Sequence, residues 1–217
     1  MRLSPASLTV LTALLLGSTP VGSVADDLLA YVNSGGSLPV HPAEFGEFWN
    51  TGFSLGGGVG LPITREWQLT TQFQFQRFGA DGEQQSRDLL LSGPRGEVLG
   101  VASIEGRDLT VVTVMAEARF LIPSVDPSRT WFLSFGFGRA AISTSDAMVT
   151  SVDPRMEPVA IVGDKDAAFS SSIGGGVEID ISPSVRLTVD SIYTTAFTSG
   201  SSTQFLPLRL GLAFRVR

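Results

Sequence analysis

The stretch WQLTTQFQFQRF, residues 67–78, alternates between two faces with a period of two residues. One face carries Trp67, Leu69, Thr71, Phe73 and Phe75, and the other carries Gln68, Thr70, Gln72, Gln74 and Gln76. Successive side chains of a β-strand point to opposite sides, so this alternation predicts a strand between two different environments. We therefore expect a sheet with one apolar and one polar face.

Seven further runs show the same alternation, and together they predict eight strands. They cover residues 28–38, 53–61, 109–122, 131–143, 168–181, 185–197 and 205–217. Most of these runs reach or exceed the roughly 9–11 residues that a tilted membrane-spanning strand requires. An even number of such strands is typical of a closed antiparallel barrel.

The connections between the runs alternate in length. Short connections that contain proline lie at residues 62–66, 123–129 and 182–184, whereas the connections at 39–50, 79–107, 144–167 and 198–204 are mostly longer and polar. Short turns on one rim and long loops on the other are typical of outer-membrane barrels. The sequence therefore predicts an all-β fold, an eight-stranded antiparallel up-and-down transmembrane β-barrel with short periplasmic turns and long extracellular loops.

The composition of the two faces indicates which one points outward. The polar face is rich in Gly, Ser, Thr and Gln, whereas a solvated surface would carry Lys and Glu. Small residues also suit the crowded lumen of an eight-stranded barrel. Aromatic residues near both strand ends predict two membrane-interface girdles: Trp49, Trp67, Phe78, Trp131, Phe169, Tyr193, Phe197 and Phe214. The alternative is a soluble, lipocalin-like periplasmic carrier with its apolar face inside.

Charge, cysteine content and the N-terminus limit the class of protein. The chain has 217 residues, 15 Lys and Arg against 21 Asp and Glu, and no Cys. A net charge of -6 argues against nucleic acid as a partner, and the lack of Cys excludes disulfides and thiolate metal sites. A positive start, an apolar stretch and the Ser23-Val24-Ala25 cleavage pattern predict a signal peptide at residues 1–25. We expect residues 26–217 to form the barrel in the outer membrane.

A resemblance to a known group supports this architecture. The segments Glu44–Phe53 and Gly56–Gly60, followed by a short turn and the 67–78 strand, resemble the opening hairpins of small bacterial outer-membrane β-barrel proteins, the group that includes OmpX and OmpA-like barrels. The resemblance implies contact with outer-membrane lipid and with the barrel-assembly machinery. That machinery recognises an aromatic residue at the C-terminus, a role open here to Phe214 in the ending Phe214-Arg215-Val216-Arg217.

With the apolar face outward, charged residues of both signs point into the lumen. They are Glu117, Arg119, Glu178, Asp180, Arg186, Asp190, Arg209 and Arg215. Buried charges persist only when they are paired, so we expect a salt-bridge network that fills the lumen. The alternative is a narrow, charge-lined channel for small solutes.

Candidate chemistry is sparse. The one histidine, His41, lies in the first long loop, and no Ser-His-Asp arrangement is supported, so we expect no catalytic residues, no metal site and no cofactor. Loops 79–107 and 144–167 are the expected contact surface for an extracellular partner. Within the first of them, Val98 to Ile104 alternates and predicts a protruding ribbon whose edge could add a strand from another chain. The predicted function is therefore membrane-structural or surface interaction, without enzymatic activity.

Overall fold

The computed structural model describes residues 28–42, 45, 48–82, 85–86, 90–92, 98–153, 157–198 and 201–216. The predicted signal peptide lies outside these residues. The strands, numbered in chain order, are β1 (Leu28–His41), β2 (Gly52–Pro62), β3 (Trp67–Gly79), β4 (Leu90–Ser92), β5 (Val98–Glu105), β6 (Asp108–Pro123), β7 (Arg129–Thr144), β8 (Ala147–Ser151), β9 (Val159–Ile161), β10 (Lys165–Ser182), β11 (Val185–Thr198) and β12 (Ser201–Val216). Among the described residues, no helix is long and apolar enough to cross a bilayer.

Eight strands form a closed barrel in the order β1-β12-β11-β10-β7-β6-β3-β2. Every neighbouring pair is antiparallel, and β1 closes the barrel against β12 from Leu28 opposite Val216 to His41 opposite Gln204. Closure pairs both edges of the sheet, which removes the unpaired backbone groups that a bilayer does not tolerate. The predicted eight-stranded, up-and-down antiparallel fold is confirmed.

The two faces of the barrel have the predicted environments. In β3 the side chains of Gln68, Gln72 and Gln76 are buried inside the barrel, whereas the side chain of Phe73 is exposed on the outside. The same alternation runs through β7, where Phe132 and Ser134 are buried. The apolar face therefore points outward and the glutamine-rich face lines the lumen.

Three tight connections join strands at one rim, which we call the turn rim: residues 63–66, 124–128 and 183–184. Local hydrogen bonds shape them. The hydroxyl oxygen of Thr64 accepts bonds from the backbone N–H groups of Glu66 (3.1 Å) and Trp67 (3.0 Å). In the second turn, Asp126 accepts bonds from the backbone N–H (3.0 Å) and the hydroxyl (2.7 Å) of Ser128. Such side-chain acceptors are the usual means of satisfying backbone donors in a turn.

The opposite rim, the loop rim, differs from the prediction at one connection. Residues 198–204 were expected to form a loop, but β11 and β12 continue to pair until Thr198 lies opposite Ser201. Only residues 199–200 separate the two strands. The polar composition of this segment predicted a loop, whereas continued backbone pairing beyond the apolar belt extends the strands instead.

The second and third long loops fold together into a separate four-stranded sheet, which we call the loop sheet, with the order β4-β5-β8-β9. Its core consists of Val101, Ile104, Ala147 and Val149, with Ile161 packed against them. The expectation that β5 offers a free ribbon edge is wrong in this respect, because β4 pairs with residues 98–100 and β8 pairs with 101–105. Apolar side chains from two distant loops can bury one another only by coming together.

Candidate functional site

Near the turn rim, the lumen is organised around the buried carboxylate of Glu178. It lies 3.5 Å from Nη1 of Arg119 and 3.0 Å from Nη1 of Arg186, and it accepts a hydrogen bond from the hydroxyl of Tyr31 at 3.2 Å. The side-chain amide of Gln68 in turn donates to the Tyr31 hydroxyl oxygen at 2.7 Å. A charge buried in this way is destabilising unless several partners compensate it.

The guanidinium of Arg119 is fully enclosed by its surroundings. Its central carbon lies 4.8 Å from the ring centroid of Tyr31 and 4.6 Å from that of Phe132. Contacts of a guanidinium with aromatic rings stabilise a desolvated cation. Neither ring belonged to the predicted charge network, because alternation places residues on a face but does not reveal which of them meet across the lumen.

A second group of polar side chains lies higher in the lumen. Nε of Arg209 lies 2.5 Å from Oδ1 of Asp190, and Nη1 of Arg209 donates to the side-chain oxygen of Gln72 at 3.1 Å. Beside them, the amide of Gln74 donates to the side-chain oxygen of Asn33 at 2.9 Å. These bonds connect β12 and β11 with β3 across the barrel, so side chains cross the lumen.

Some buried atoms of these two groups have no hydrogen-bond partner among the described residues. They include Oε2 of Glu117, which is 3.9 Å from Nε of Arg119, together with Nη2 of Arg209 and Nε2 of Gln72. Ordered water commonly satisfies buried polar groups of this kind. The arrangement is suited to holding the barrel wall together.

The loop-rim end of the lumen is closed by apolar side chains. Phe78 and Phe205 are fully buried with ring centroids 6.3 Å apart, and Phe45 of the first long connection packs edge-on against Phe78 at 5.3 Å. The same cluster contains Leu109, Val111, Ala140, Ala168 and Ala196. The lumen thus consists of a polar region below and an apolar region above, and both are filled by side chains.

The predicted charged residues occupy three kinds of position. Glu117, Arg119, Glu178, Asp190 and Arg209 are buried in the lumen. Arg186 is partly buried and pairs with the more exposed Asp180 at 2.8 Å near the turn rim. Arg215 is partly buried near the end of β12, opposite Leu29 of β1.

The predicted interfacial aromatic residues lie mostly on the outer surface. Trp67, Trp131, Phe169, Tyr193, Phe197 and Phe214 point outward. The predictions for Phe78 and Trp49 are wrong. Phe78 points into the lumen, and Trp49 packs against the apolar cluster there. Phe78 has the parity of the inward-facing glutamines of β3, so its own strand contained the signal that it is internal.

His41 lies at the loop-rim end of β1 and is exposed. Within the part of the chain that the structure describes, no three His, Asp or Glu side chains are grouped as metal ligands. A polar cleft of about 520 Å³ is formed by the first long connection, the start of the second long loop and β5, with Asn50, Asp81 and Ser103 among its lining residues.

Comparisons with known proteins support the fold. No protein-family model matches the chain, and none of the curated proteins matches it. The crystal structure of Neisserial surface protein A has a TM-score of 0.55 at 11% identity, over 87% of this chain and 97% of that one. Similar structures include a major outer membrane protein from Thermus thermophilus (TM-score 0.49, 13% identity, 87% and 99% covered) and Ail of Yersinia pestis (0.47, 12%, 87% and 99%). The resemblance to small outer-membrane barrels is confirmed for the fold.

Proposed function

We propose that the protein is an exported, integral outer-membrane barrel that has no catalytic activity and acts through the loop sheet on the cell surface. The observation that carries this proposal is the contrast between the two parts of the molecule. The barrel lumen is filled with side chains, whereas the loops form an ordered sheet with its own apolar core. A role in membrane structure or in surface interaction fits this contrast better than transport.

The outer surface of the barrel supports a membrane location. Large apolar side chains are exposed around it, including Phe137 at 64%, Ile173 at 66% and Leu208 at 62%. Soluble monomers rarely expose contiguous apolar patches beyond a few hundred Å². A lipocalin-like carrier would also need an apolar cavity at the centre of the barrel, where this protein has Arg209, Asp190 and Gln72.

The filled lumen argues against the channel alternative. Solutes would have to pass the apolar cluster at the loop rim and then the Arg119–Glu178 network. We expect no discrete conductance steps when the purified protein is inserted into a planar bilayer. Regular steps that disappear in a Glu117→Gln variant would establish a channel instead.

The membrane location of the protein and its orientation in the membrane can be tested together, because the chain has no Cys and single cysteines can be introduced. Thr150 is exposed on β8 of the loop sheet, and Val125 is exposed in the turn between β6 and β7. In intact cells, a membrane-impermeant maleimide should label Thr150→Cys, while Val125→Cys should react only after the outer membrane is permeabilised. Both variants should be found in carbonate-washed outer membranes and should run in electrophoresis as compact bands that shift on boiling.

Other outcomes would contradict the proposal in different ways. Labelling of Val125→Cys alone in intact cells would mean that the loop sheet faces the periplasm. Recovery of the protein in the soluble periplasmic fraction would favour the carrier alternative.

A further inference from the structure

The outer face of β7 changes character at Arg139. Toward the turn rim it carries the exposed side chains of Trp131, Leu133, Phe135 and Phe137. Toward the loop rim it carries only Ala141 and Ser143 before the strand ends. The next strand, β10, shows the same change above Phe169, where Ala167 and Lys165 follow on the outer face. Arg139 therefore lies at the boundary between the apolar belt and a collar of small and polar residues.

The side chain of Arg139 is exposed at this boundary. Within the described residues, its guanidinium forms no hydrogen bond or ion pair. Its direct neighbours across the sheet are Val114 on β6 and Phe169 on β10, and the Phe169 ring stacks on Phe197 at 6.1 Å. A cation beside apolar side chains on a lipid-facing surface is costly at the membrane centre and is accommodated near the headgroups.

The depth of Arg139 fits the headgroup region. It lies eight residues beyond Trp131 along β7, which corresponds to about 20 Å along the membrane normal for a strand rise of about 3.3 Å and a tilt of about 40°. The apolar band of such barrels is about 25 Å tall. If Trp131 lies at the membrane interface near the turn rim, the long side chain of Arg139 can therefore reach the lipid phosphates at the other interface, near the loop rim.

Lys165 adds a second cation to the collar. It is exposed and lies opposite Ser143, four residues above Arg139 along the β7 direction. The neighbouring acids are engaged locally: Asp164 and Asp166 accept bonds from the backbone N–H groups of Lys165 and Ala167, each at 2.7 Å. A third outward cation, Arg77 on β3, is already paired with Asp108.

We propose that Arg139, together with Lys165, binds the phosphate group of a lipid headgroup in the outer leaflet, with the headgroup resting on the small residues of the collar. The planar guanidinium suits bidentate contact with phosphate oxygens, and Lys165 supplies a point charge. This inference rests on the proposed membrane location with the loop rim outside. The lipid phosphate is chosen as the ligand because of charge complementarity: Arg139 is a cation without an ion-pair partner among the described residues, and phosphate is the anionic group found at that depth.

The test measures retention of lipopolysaccharide by the full barrel purified in detergent. Arg139→Gln should weaken binding about tenfold, the loss typical of one charge-assisted hydrogen bond, and Lys165→Gln should weaken it less. The matched control is Arg129→Gln, because Arg129 is an exposed cation on the same strand but at the turn rim. It should bind as the native chain does. Lipopolysaccharide stripped of phosphate should bind the native chain as weakly as it binds Arg139→Gln.

Three results would overturn the inference. They are equal binding by Arg139→Gln and the native chain, equal binding of phosphorylated and dephosphorylated lipid, and displacement of the lipid by millimolar inorganic phosphate, which would indicate a site for the free anion. In each case a heat-modifiable band in the outer membrane would leave the proposed function intact. A chain absent from that membrane would instead contradict the proposed function and this inference together.

Discussion

At the scale of single residues, the stability of the barrel depends on ions that have been removed from water. Arg119 is completely buried, and its charge is compensated by Glu178 at 3.5 Å and by the faces of two aromatic rings. Because a buried ion pair must overcome the desolvation of both groups, its presence says little about net stabilisation. Removal of Arg119 is different, since buried Glu117 would lose the guanidinium 3.9 Å away and Glu178 would keep only Arg186 and the Tyr31 hydroxyl.

Arg119→Met should therefore lower the free energy of unfolding by about 3–5 kcal/mol. The matched control is Arg129→Met, which breaks the exposed Arg129–Asp126 pair of 3.1 Å and should have little effect. Urea unfolding in lipid vesicles, followed by tryptophan fluorescence, measures both. Equal stability of the two variants would show that the lumen network is dispensable.

The turn at Asp126 makes a prediction about pH. The hydroxyl and then the backbone N–H of Ser128 hydrogen-bond to the carboxylate and lower the pKa of Asp126 below its ordinary value. A lowered folded-state pKa stabilises the fold above the unfolded pKa, and this contribution is lost as pH falls through the folded value. Ser128→Ala should move the pKa of Asp126 back upward in a carboxyl-carbon NMR titration. An unchanged pKa would exclude the hydroxyl as its main cause.

At the scale of the strand, close packing of neighbouring backbones explains where glycine is required. A Cβ on Gly35, which faces the lumen, would lie 1.9 Å from the carbonyl oxygen of Leu208 on β12. A Cβ on Gly36, which faces outward, would meet nothing nearer than 3.9 Å. Two adjacent glycines of β1 therefore differ in their tolerance of a side chain.

Gly35→Ala should destabilise the barrel by about 1–3 kcal/mol, the usual cost of overpacking, because the backbone of β12 would have to move. Gly36→Ala should be neutral or slightly stabilising, since alanine loses less conformational freedom on folding. The temperature at which the compact electrophoretic band converts to the unfolded one measures both changes. The same temperature for both variants would contradict the close approach of β1 and β12.

At the scale of the whole molecule, the loop sheet has an apolar core separate from the clusters inside the barrel, which implies two separable units. Val149 is fully buried in the loop sheet, whereas its neighbour Met148 is about half exposed. The loop sheet packs around its own side chains, and the barrel is closed by its own strand pairing. Local opening of a unit with few buried contacts need not involve the rest of the fold.

Val149→Asp should therefore open the loop sheet and leave the barrel intact, because an unpaired buried carboxylate costs several kcal/mol. Trypsin should cleave the loops of this variant about tenfold faster or more, while the heat-modifiable band of the barrel persists. Met148→Asp adds the same charge at an exposed position, and trypsin should cleave this variant at the native rate. Loss of the compact band in Val149→Asp would mean that the two units fold as one.

The sequence by itself determined the eight strands of the barrel and which of their faces points outward, but not the loop sheet. Alternation in segments such as 67–78 predicts which side chains share a face, because the two-residue period is a local property of the strand. The composition of the two faces then placed Glu117, Arg119 and Glu178 on the lumen side. Local patterns were less informative at β12, where backbone pairing extends the strand into residues of loop-like composition.

Only the tertiary structure decided which side chains meet. Tyr31 and Glu178 are 147 positions apart, and their contact depends on barrel closure and on the register of several strands. The pairing of β5 with β8 likewise joins two loops that no local pattern connects. Contacts across a lumen or between loops depend on the register and tilt of all the strands between them. The alternation within any one strand contains no information about the register or tilt of the others.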